Sequence, residues 1–472
     1  MDYDVCVIGA GPGGYVAAIR AAQLKLKTCV IERAKAGGIC TNWGCIPSKA
    51  LLHGAGIMHT LKHAKDYGIT INGDIKVDFA QLRAKKDRVI GRLVGGVELL
   101  LKKNGVDWVG GEAVFVNANE VSVKLKDGGT RAIKAKNFII ATGARPIELP
   151  HLKPDGQSIL TYVEALEIDG PPRDFVVIGG GAIGLEMAEV YAAFGSQVTV
   201  VEMMPTLLPG FDADLTKAAA DIMRKAGIKA LTATKVASAQ KGKDGRWNLA
   251  LESADAGAAG KQGDTLVADK VLVSIGLRPN SENLGLEKAG VKLDQKGFII
   301  VDETMRTSAR NIYAIGDIVG KKLLAHKASR EGHIAAENIA GHNVAMDYRA
   351  LPGTVFTHPE IATVGLSEEE AKKAGHDVAV GKFPVSVLGR SVATTTNEGL
   401  VKIVADRKTD RILGVHIVAP TAGDLIAEAA LAIEMDATPE DLAATIHVHP
   451  TFSEATMEAA ADVHGAAVHV AK

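Results

Sequence analysis

The sequence has no cysteine after residue 45. The four it carries, Cys6, Cys29, Cys40 and Cys45, lie in the first tenth of 472 residues. Bridges confined to so short a stretch cannot staple a fold of this size, which excludes a disulfide-built secreted scaffold. Aromatic residues are scarce at 4%, whereas glycine is abundant at 51 residues. That balance points to tight strand–helix turns in large α/β domains rather than a stacked all-β core. Charge of one sign is also missing: 54 Lys+Arg against 55 Asp+Glu leave a net charge of −1. No basic field exists to hold a nucleic acid, and no acidic tail appears. No apolar run reaches membrane-spanning length, since the stretch 425–433 is broken by Glu428. The first strand begins by Asp4, leaving no room for a signal or transit peptide, so a cytoplasmic location is expected. With 47% hydrophobic and 23% charged residues, the chain is an ordinary globular protein, of about three domains at roughly 150 residues each.

What is present is a duplication. An apolar strand, Val5-Cys6-Val7-Ile8, runs into Gly9-Ala10-Gly11-Pro12-Gly13-Gly14 and then into helical composition over 15–24. In this pattern Gly9 permits the tight turn, Gly11 lets backbone approach a pyrophosphate, and Gly14 lets helix pack on strand. The helix N-terminus presents free N–H groups to the phosphates. A second strand over 28–31 ends in Glu32, placed to accept from a ribose hydroxyl. The construction recurs as Phe175-Val176-Val177-Ile178, Gly179-Gly180-Gly181-Ala182-Ile183-Gly184, and a strand 198–201 ending in Glu202. Gly9 and Gly179, Gly11 and Gly181, Gly14 and Gly184, and Glu32 and Glu202 are each 170 residues apart. One glycine fingerprint is a weak signal. Two in the same strand–turn–helix–strand–Glu context are a strong one. Each unit closes on a buried strand and Gly-x-Arg-Pro, at 143–146 and 276–279, and Pro171-Pro172 punctuates the chain before the second unit. After Glu202 no arginine follows before Arg224, and a carboxylate there repels a 2′-phosphate, so the second site suits NAD rather than NADP. The first site alone is compatible with FAD or NAD.

The segment Gly37-Gly38-Ile39-Cys40-Thr41-Asn42-Trp43-Gly44-Cys45-Ile46-Pro47-Ser48-Lys49 follows Glu32 closely. Cysteines at i and i+5 can close a small loop, and Pro47 fits the first turn of a helix running through Leu52. Cys45 then stands at a helix N-terminus, where a thiolate is stabilised, with Lys49 one turn further on the same face. A zinc half-site needs more ligands, and Cys6 and Cys29 read as strand core, so no metal is expected. A closely spaced intracellular pair is more often redox-active than structural. Since a nicotinamide carries hydride and a dithiol needs an electron pair delivered to sulfur, a flavin is the usual mediator, which makes the first site FAD.

With the segment 38–52, the unit 179–186, Ala314-Ile315-Gly316-Asp317 and His447-Val448-His449-Pro450-Thr451-Phe452-Ser453-Glu454, the chain resembles the class I pyridine-nucleotide:disulfide oxidoreductases over essentially its whole length. Within them it is most similar to the branch that oxidises dihydrolipoamide. Thr41 and Trp43 depart from the more usual apolar residues of the cysteine loop. The resemblance implies two Rossmann-like dinucleotide-binding domains, for FAD and NAD, plus an α+β C-terminal dimerisation domain. The divisions are 1–148 (FAD), 149–275 (NAD), 276–346 (completing the FAD site) and 347–472 (interface). It also implies that Asp317 accepts from the flavin ribityl chain with Ala325 following on that cofactor, and that Lys49 pairs with Glu186 beside the flavin ring. Gly143, Glu32 and the backbone near Ala113 would line the FAD site, and Val236 and Gly276 the NAD site.

Of the 14 histidines, His449 is held extended by the proline after it. Thr451 or Ser453 can cap a helix holding Glu454, which could orient one imidazole nitrogen and leave the other for chemistry. His447, two residues away, shares that face if the segment is extended; the family pattern selects His449. His358-Pro359, a second His-Pro step, reads as structural. The resemblance implies a homodimer in which His449 serves the other subunit's cysteines. It also implies a lipoyl-bearing acyltransferase or carrier protein of a 2-oxo acid dehydrogenase or glycine cleavage complex as partner. Glutathione-type reductases prefer NADPH, which the missing arginine disfavours. Mercuric and large thioredoxin reductases add C-terminal redox groups that no cysteine here can supply. A flavin transhydrogenase lacks the pair, and a flavin-loaded scaffold without turnover is the reading from a different class.

Overall fold

The computed structural model describes residues 1–167, 169–254, 262–396 and 398–470. The chain forms two compact units, one from Met1–Leu51, Val77–Ile147 and Gly276–Asp347, the other from Leu52–Lys76, Glu148–Ile275 and Tyr348–Lys472.

In the first unit, Tyr3–Ile8 and Thr28–Glu32 are apolar on both faces, the pattern of strands covered by layers on both sides. They lie at the centre of a parallel sheet in the order Asp107–Asn117, Thr28–Glu32, Tyr3–Ile8, Thr130–Ile140, Ile312–Ala314. Glu120–Leu125 pairs antiparallel with the outer parts of the two long strands. Cys6 and Cys29 are register partners inside this sheet and fully buried, as core residues. The helix Pro12–Gln23 begins directly after Gly11 with proline in its first turn. It packs closely on Ala325–Ile339, because a Cβ on Gly13 would meet Ala328 O at 2.9 Å and one on Gly332 would meet Gly13 O at 2.7 Å.

The second unit repeats the plan. Its parallel sheet runs Lys229–Leu231, Gln197–Val201, Asp174–Ile178, Lys270–Val273, Ile159–Leu160. An antiparallel ladder Thr234–Lys241, Trp247–Ser253, Gln262–Ala268 follows. The two sheets differ in their fifth strand. The first unit takes it from residues after the domain, the second from residues before it. The Gly-x-Arg-Pro segments pair with one another: Ala144–Pro146 is antiparallel to Leu277–Pro279, with Arg145 opposite Arg278. The chain thus leaves the first unit after Ile147 and returns at Gly276 along one two-stranded ribbon.

The duplication extends to sterics. Gly9 and Gly179 adopt φ of +104° and +110°, reserved in practice for glycine. A Cβ on Gly14 would come within 1.9 Å of Gly9 O, and one on Gly184 within 2.0 Å of Gly179 O. Gly184→Ala is therefore expected to lower stability by about 1–3 kcal/mol through overpacking, read as a reduced denaturant midpoint.

The C-terminal part of the second unit is an antiparallel sheet, Gly353–Val355, Glu360–Gly365, Ile412–Ala419, Leu400–Asp406, Val378–Pro384. Helices Ala422–Glu434 and Glu454–Val463 cover it and share its core. The apolar face of 422–435 divides: Ile426, Ala429 and Ile433 enter that core, while Leu431 and Met435 stay exposed. Lys402, buried in the strand Leu400–Asp406, bonds Asp212 and Asp214 at the head of helix Ala213–Lys225 at 2.9 Å each and lies 2.9 Å from Glu368. Burial raises the pKa of Asp212 and Asp214, but their hydrogen bonds and neighbouring cations bring both below the ordinary value. Lys372 and Lys402 hold Glu368 at about 2. Burial opposes the Lys402 charge, yet its carboxylate partners raise its pKa overall. A lowered carboxylate stabilises the fold above its unfolded pKa and loses that contribution as pH falls through the folded value. Unfolding titrations should therefore show stability falling from about pH 4.5 towards 2. Lys402→Met should cost about 3–5 kcal/mol at neutral pH by stranding buried carboxylates, and flatten that acid limb.

Candidate active site

The segment after Glu32 is docked on the first glycine turn. Gly37 N–H donates to Ala10 O at 2.8 Å. Gly38 lies so close that a Cβ on it would meet Gly11 Cα at 2.6 Å. Cys40 lies inside a short helix, Gly38–Trp43. Asn42 anchors that helix by donating to Ala36 O and Gly38 O, both at 2.9 Å. Cys45 is the first residue of the next helix, Cys45–Lys62, with Pro47 in its first turn. Both cysteines are in the thiol form. The Cys40 thiol hydrogen-bonds Cys45, and that bond together with burial drives its pKa far up, against a smaller pull from Lys49. Lys49 donates to Ser48 Oγ at 3.4 Å, and Ser48 Oγ to Cys45 O at 3.1 Å.

The two acidic strand ends hold matching positions. Glu32 accepts from Ala10 N–H and Ala34 N–H, both at 2.7 Å. Glu202 accepts from Gly180 N–H at 2.6 Å and Met204 N–H at 2.7 Å. All four partners obey the 170-residue offset. Each carboxylate is fastened beside its glycine turn, where a ribose would be received. A Cβ on Gly11 would touch nothing nearer than Gly38 Cα at 4.0 Å, and one on Gly181 or Gly143 would meet nothing within 4 Å. These glycines face open space, which a diphosphate needs and which a side chain would fill. The residues present fit a dinucleotide at both turns.

Asp317 lies in a single helical turn, Gly316–Val319, just after the strand Ile312–Ala314. Burial raises its pKa. Ala325 opens the helix Ala325–Ile339. Ala113 and Val236 turn their side chains into apolar cores, so only their backbone can face a ligand. Gly276 adopts φ +117° in the first unit, at the ribbon by which the chain returns from the second. In the second unit, Glu186 is buried on helix Ala182–Ala193 and accepts from Phe356 N–H at 3.0 Å. One turn on, Glu189 accepts from His358 N–H at 3.0 Å, and burial raises its pKa to about 7. Sequence reasoning missed Glu189; its spacing of three from Glu186 was the available signal.

The two C-terminal histidines do not share a face. The His447 side chain is 5% exposed, with Nδ1 on Thr445 O at 2.8 Å and Nε2 on Glu428 at 2.9 Å. His449 is 74% exposed. Its Nδ1 is 2.8 Å from Glu454 Oε1, and Nε2 has no hydrogen-bond partner among the described residues. Spacing did not exclude His447, and the family pattern selected His449; in the fold Glu428, 19 residues upstream, engages the His447 ring. The expected side-chain cap is absent. Ser453 precedes the helix without capping it. Instead Glu454 reaches back to Thr451 N–H at 2.8 Å. Burial raises the Glu454 pKa, but the bonds from Thr451 and His449 bring it below the ordinary value. The ionised carboxylate then fixes the imidazole with Nε2 outward. Among the described residues, no group of three or more His, Cys, Asp or Glu is arranged to hold a metal ion, and no helix is long and apolar enough to cross a membrane.

Two nucleotide turns, with a vicinal thiol pair packed on the first, define a nucleotide-dependent dithiol oxidoreductase. The chain belongs to the pyridine nucleotide-disulphide oxidoreductases: the family model matches residues 3–332, and the family's dimerisation domain matches 351–460. It is 48% identical over 469 residues to a dihydrolipoyl dehydrogenase of Thermus scotoductus, covering 99% of each chain. To a dihydrolipoyl dehydrogenase of Trypanosoma brucei brucei it is 47% identical over 461 residues, covering 97% of this chain and 95% of the other. The fold matches the crystal structure of LpdA from Mycobacterium tuberculosis with a TM-score of 0.88 at 30% identity, covering 97% and 98% of the two chains. The chain is a flavoprotein oxidoreductase with FAD and NAD as cofactors, and a homodimer.

Proposed function

We propose that this chain reoxidises the dihydrolipoyl group of a lipoyl-bearing protein and reduces NAD to NADH. The observation that carries this reading is the Cys40–Cys45 thiol pair at a helix head, packed on the Gly9–Gly14 turn. In the oxidised enzyme the two sulfurs are joined. His449 Nε2, with Nδ1 held by Glu454, takes the proton from one substrate thiol. The thiolate attacks Cys40 Sγ, forming a mixed disulfide and releasing Cys45 as a thiolate. The second substrate thiol then attacks the mixed disulfide at the substrate sulfur, closing the lipoyl ring and returning Cys40 as a thiol. Free N–H groups at the helix end and Lys49 stabilise the Cys45 thiolate. FAD, when bound, supplies the two-electron relay between sulfur and nicotinamide. The balance is dihydrolipoamide plus NAD⁺ giving lipoamide, NADH and a proton.

In this reading Gly9, Gly11, Gly14, Glu32, Ala113, Gly143, Asp317 and Ala325 hold FAD. Gly179, Gly181, Gly184, Glu202, Val236 and Gly276 hold NAD, and Lys49 pairs with Glu186. Residues 1–148 and 276–346 build the FAD part, 149–275 the NAD part and 347–472 the interface. His449 serves the cysteines of the partner subunit. The protein works in the cytoplasm with an acyltransferase or carrier of a 2-oxo acid dehydrogenase or glycine cleavage complex. The close relatives named dihydrolipoyl dehydrogenase support the substrate, and Glu202 supports NAD. The test is NADH formation at 340 nm from dihydrolipoamide, with NADP in a parallel arm. Activity with NAD alone is expected. No product with either nucleotide, or turnover only with glutathione and NADP, overturns the reading. Gly181→Ala, whose Cβ meets no protein atom within 4 Å, is expected to keep the melting temperature and raise the KM for NAD at least about tenfold by crowding the diphosphate.

A further inference from the structure

Inside the first unit lies an ion pair that the reaction does not use. Lys327 and Glu331 are both 0% exposed, four residues apart on helix Ala325–Ile339, with Lys327 Nζ 3.3 Å from Glu331 Oε1. The order, lysine before glutamate, is the less favourable one for helix stability. A buried pair is also poor economy as a stabiliser, since apolar residues of like volume commonly do as well. Its hydrogen bonds point elsewhere. Lys327 Nζ donates to Gly316 O at 3.1 Å and Gly320 O at 2.9 Å. Glu331 Oε2 accepts from Gly316 N–H at 2.7 Å. The turn they grip is bracketed by Gly316 and Gly320, with φ of +79° and +72°, a geometry a free chain has little reason to keep. One ammonium closes both ends of that turn, and one carboxylate fixes its first amide. Asp317 stands between them. Burial raises its pKa, Lys327 counteracts this and Glu331 adds to it, so both clasp charges also act on the Asp317 carboxyl. The clasp helix in turn abuts the pyrophosphate-binding turn through Gly13 and Gly332.

We infer that Lys327 and Glu331 are positioning residues for the flavin: they pre-form the 316–320 turn so that Asp317 meets FAD already in place. This rests on the reading of the first site as the FAD site. FAD release from purified holoenzyme, followed by recovery of flavin fluorescence on dilution, tests it in Lys327→Met, Glu331→Gln, Asp317→Asn and the double variant D317N/E331Q. Each clasp variant should release FAD at least tenfold faster than the parent. The double variant should be no faster than D317N, because a misplaced turn and a missing carboxylate lose the same contact. A general loss of stability would not produce that coupling. Should Lys327→Met fail to fold, the nearly isosteric Glu331→Gln carries the test. Release within twofold of the parent in the clasp variants, or effects that multiply in the double variant, overturns the inference. A parent protein that binds no FAD overturns the flavin reading itself.

Discussion

Cys45→Ser should abolish NADH production from dihydrolipoamide. Removing one member of a group that acts as a unit removes nearly all of its contribution, so a loss of at least about a thousandfold in kcat is expected. Cys40→Ser should be as inactive, yet the two variants should differ in colour. Cys45 heads the helix Cys45–Lys62, where free N–H groups favour a thiolate, so in the proposed mechanism it is the sulfur that holds negative charge beside the flavin. The Cys40→Ser protein, which keeps Cys45, should show a long-wavelength thiolate–flavin absorption band. Cys45→Ser should not. The opposite pattern would exchange the roles of the two sulfurs, and normal turnover by either variant would remove the pair from the mechanism.

The second large effect is expected at His449. Loss of a positioned general base costs about 10²–10⁴ in rate, so His449→Gln should lower kcat by that factor with dihydrolipoamide. Reduction of the purified enzyme by NADH should be little changed, because that half-reaction needs no proton taken from substrate. Glu454→Gln should give a smaller loss. Its amide oxygen can still accept from Nδ1, but the carboxylate charge beside the imidazole is gone. His447→Gln, which disturbs only the contacts to Thr445 and Glu428, should leave kcat within a few-fold of the parent. Equal losses at His447 and His449 would show that orientation does not separate them.

The glycine turns, the acidic strand ends and the cysteine helix head were legible before any coordinates. Their signals are local. A tight turn needs a residue without a side chain, a helix closing onto a strand needs another a few positions on, and proline favours a first helical turn. Where a motif's meaning depended on residues distant in the chain, the sequence was silent or misleading. The extended pattern around 447–449 did not by itself exclude His447, although the family pattern selected His449; the contact to Glu428, 19 residues upstream, is visible only in the fold. The helix holding Cys40 is too short for periodicity to mark it. Its place against Gly11 is set by backbone packing that no spacing encodes.

Lys402 and the Lys327–Glu331 pair belong to the same class. In a linear reading they are ordinary charges on a strand and a helix, since nothing in their neighbours announces burial. The sequence alone determined that this chain carries two dinucleotide folds and a vicinal cysteine pair, because steric demands between near neighbours leave few residue choices. Tertiary structure alone decided which histidine stays open, which charges are buried and which turn they clasp, because a side chain's partners come from wherever the chain returns.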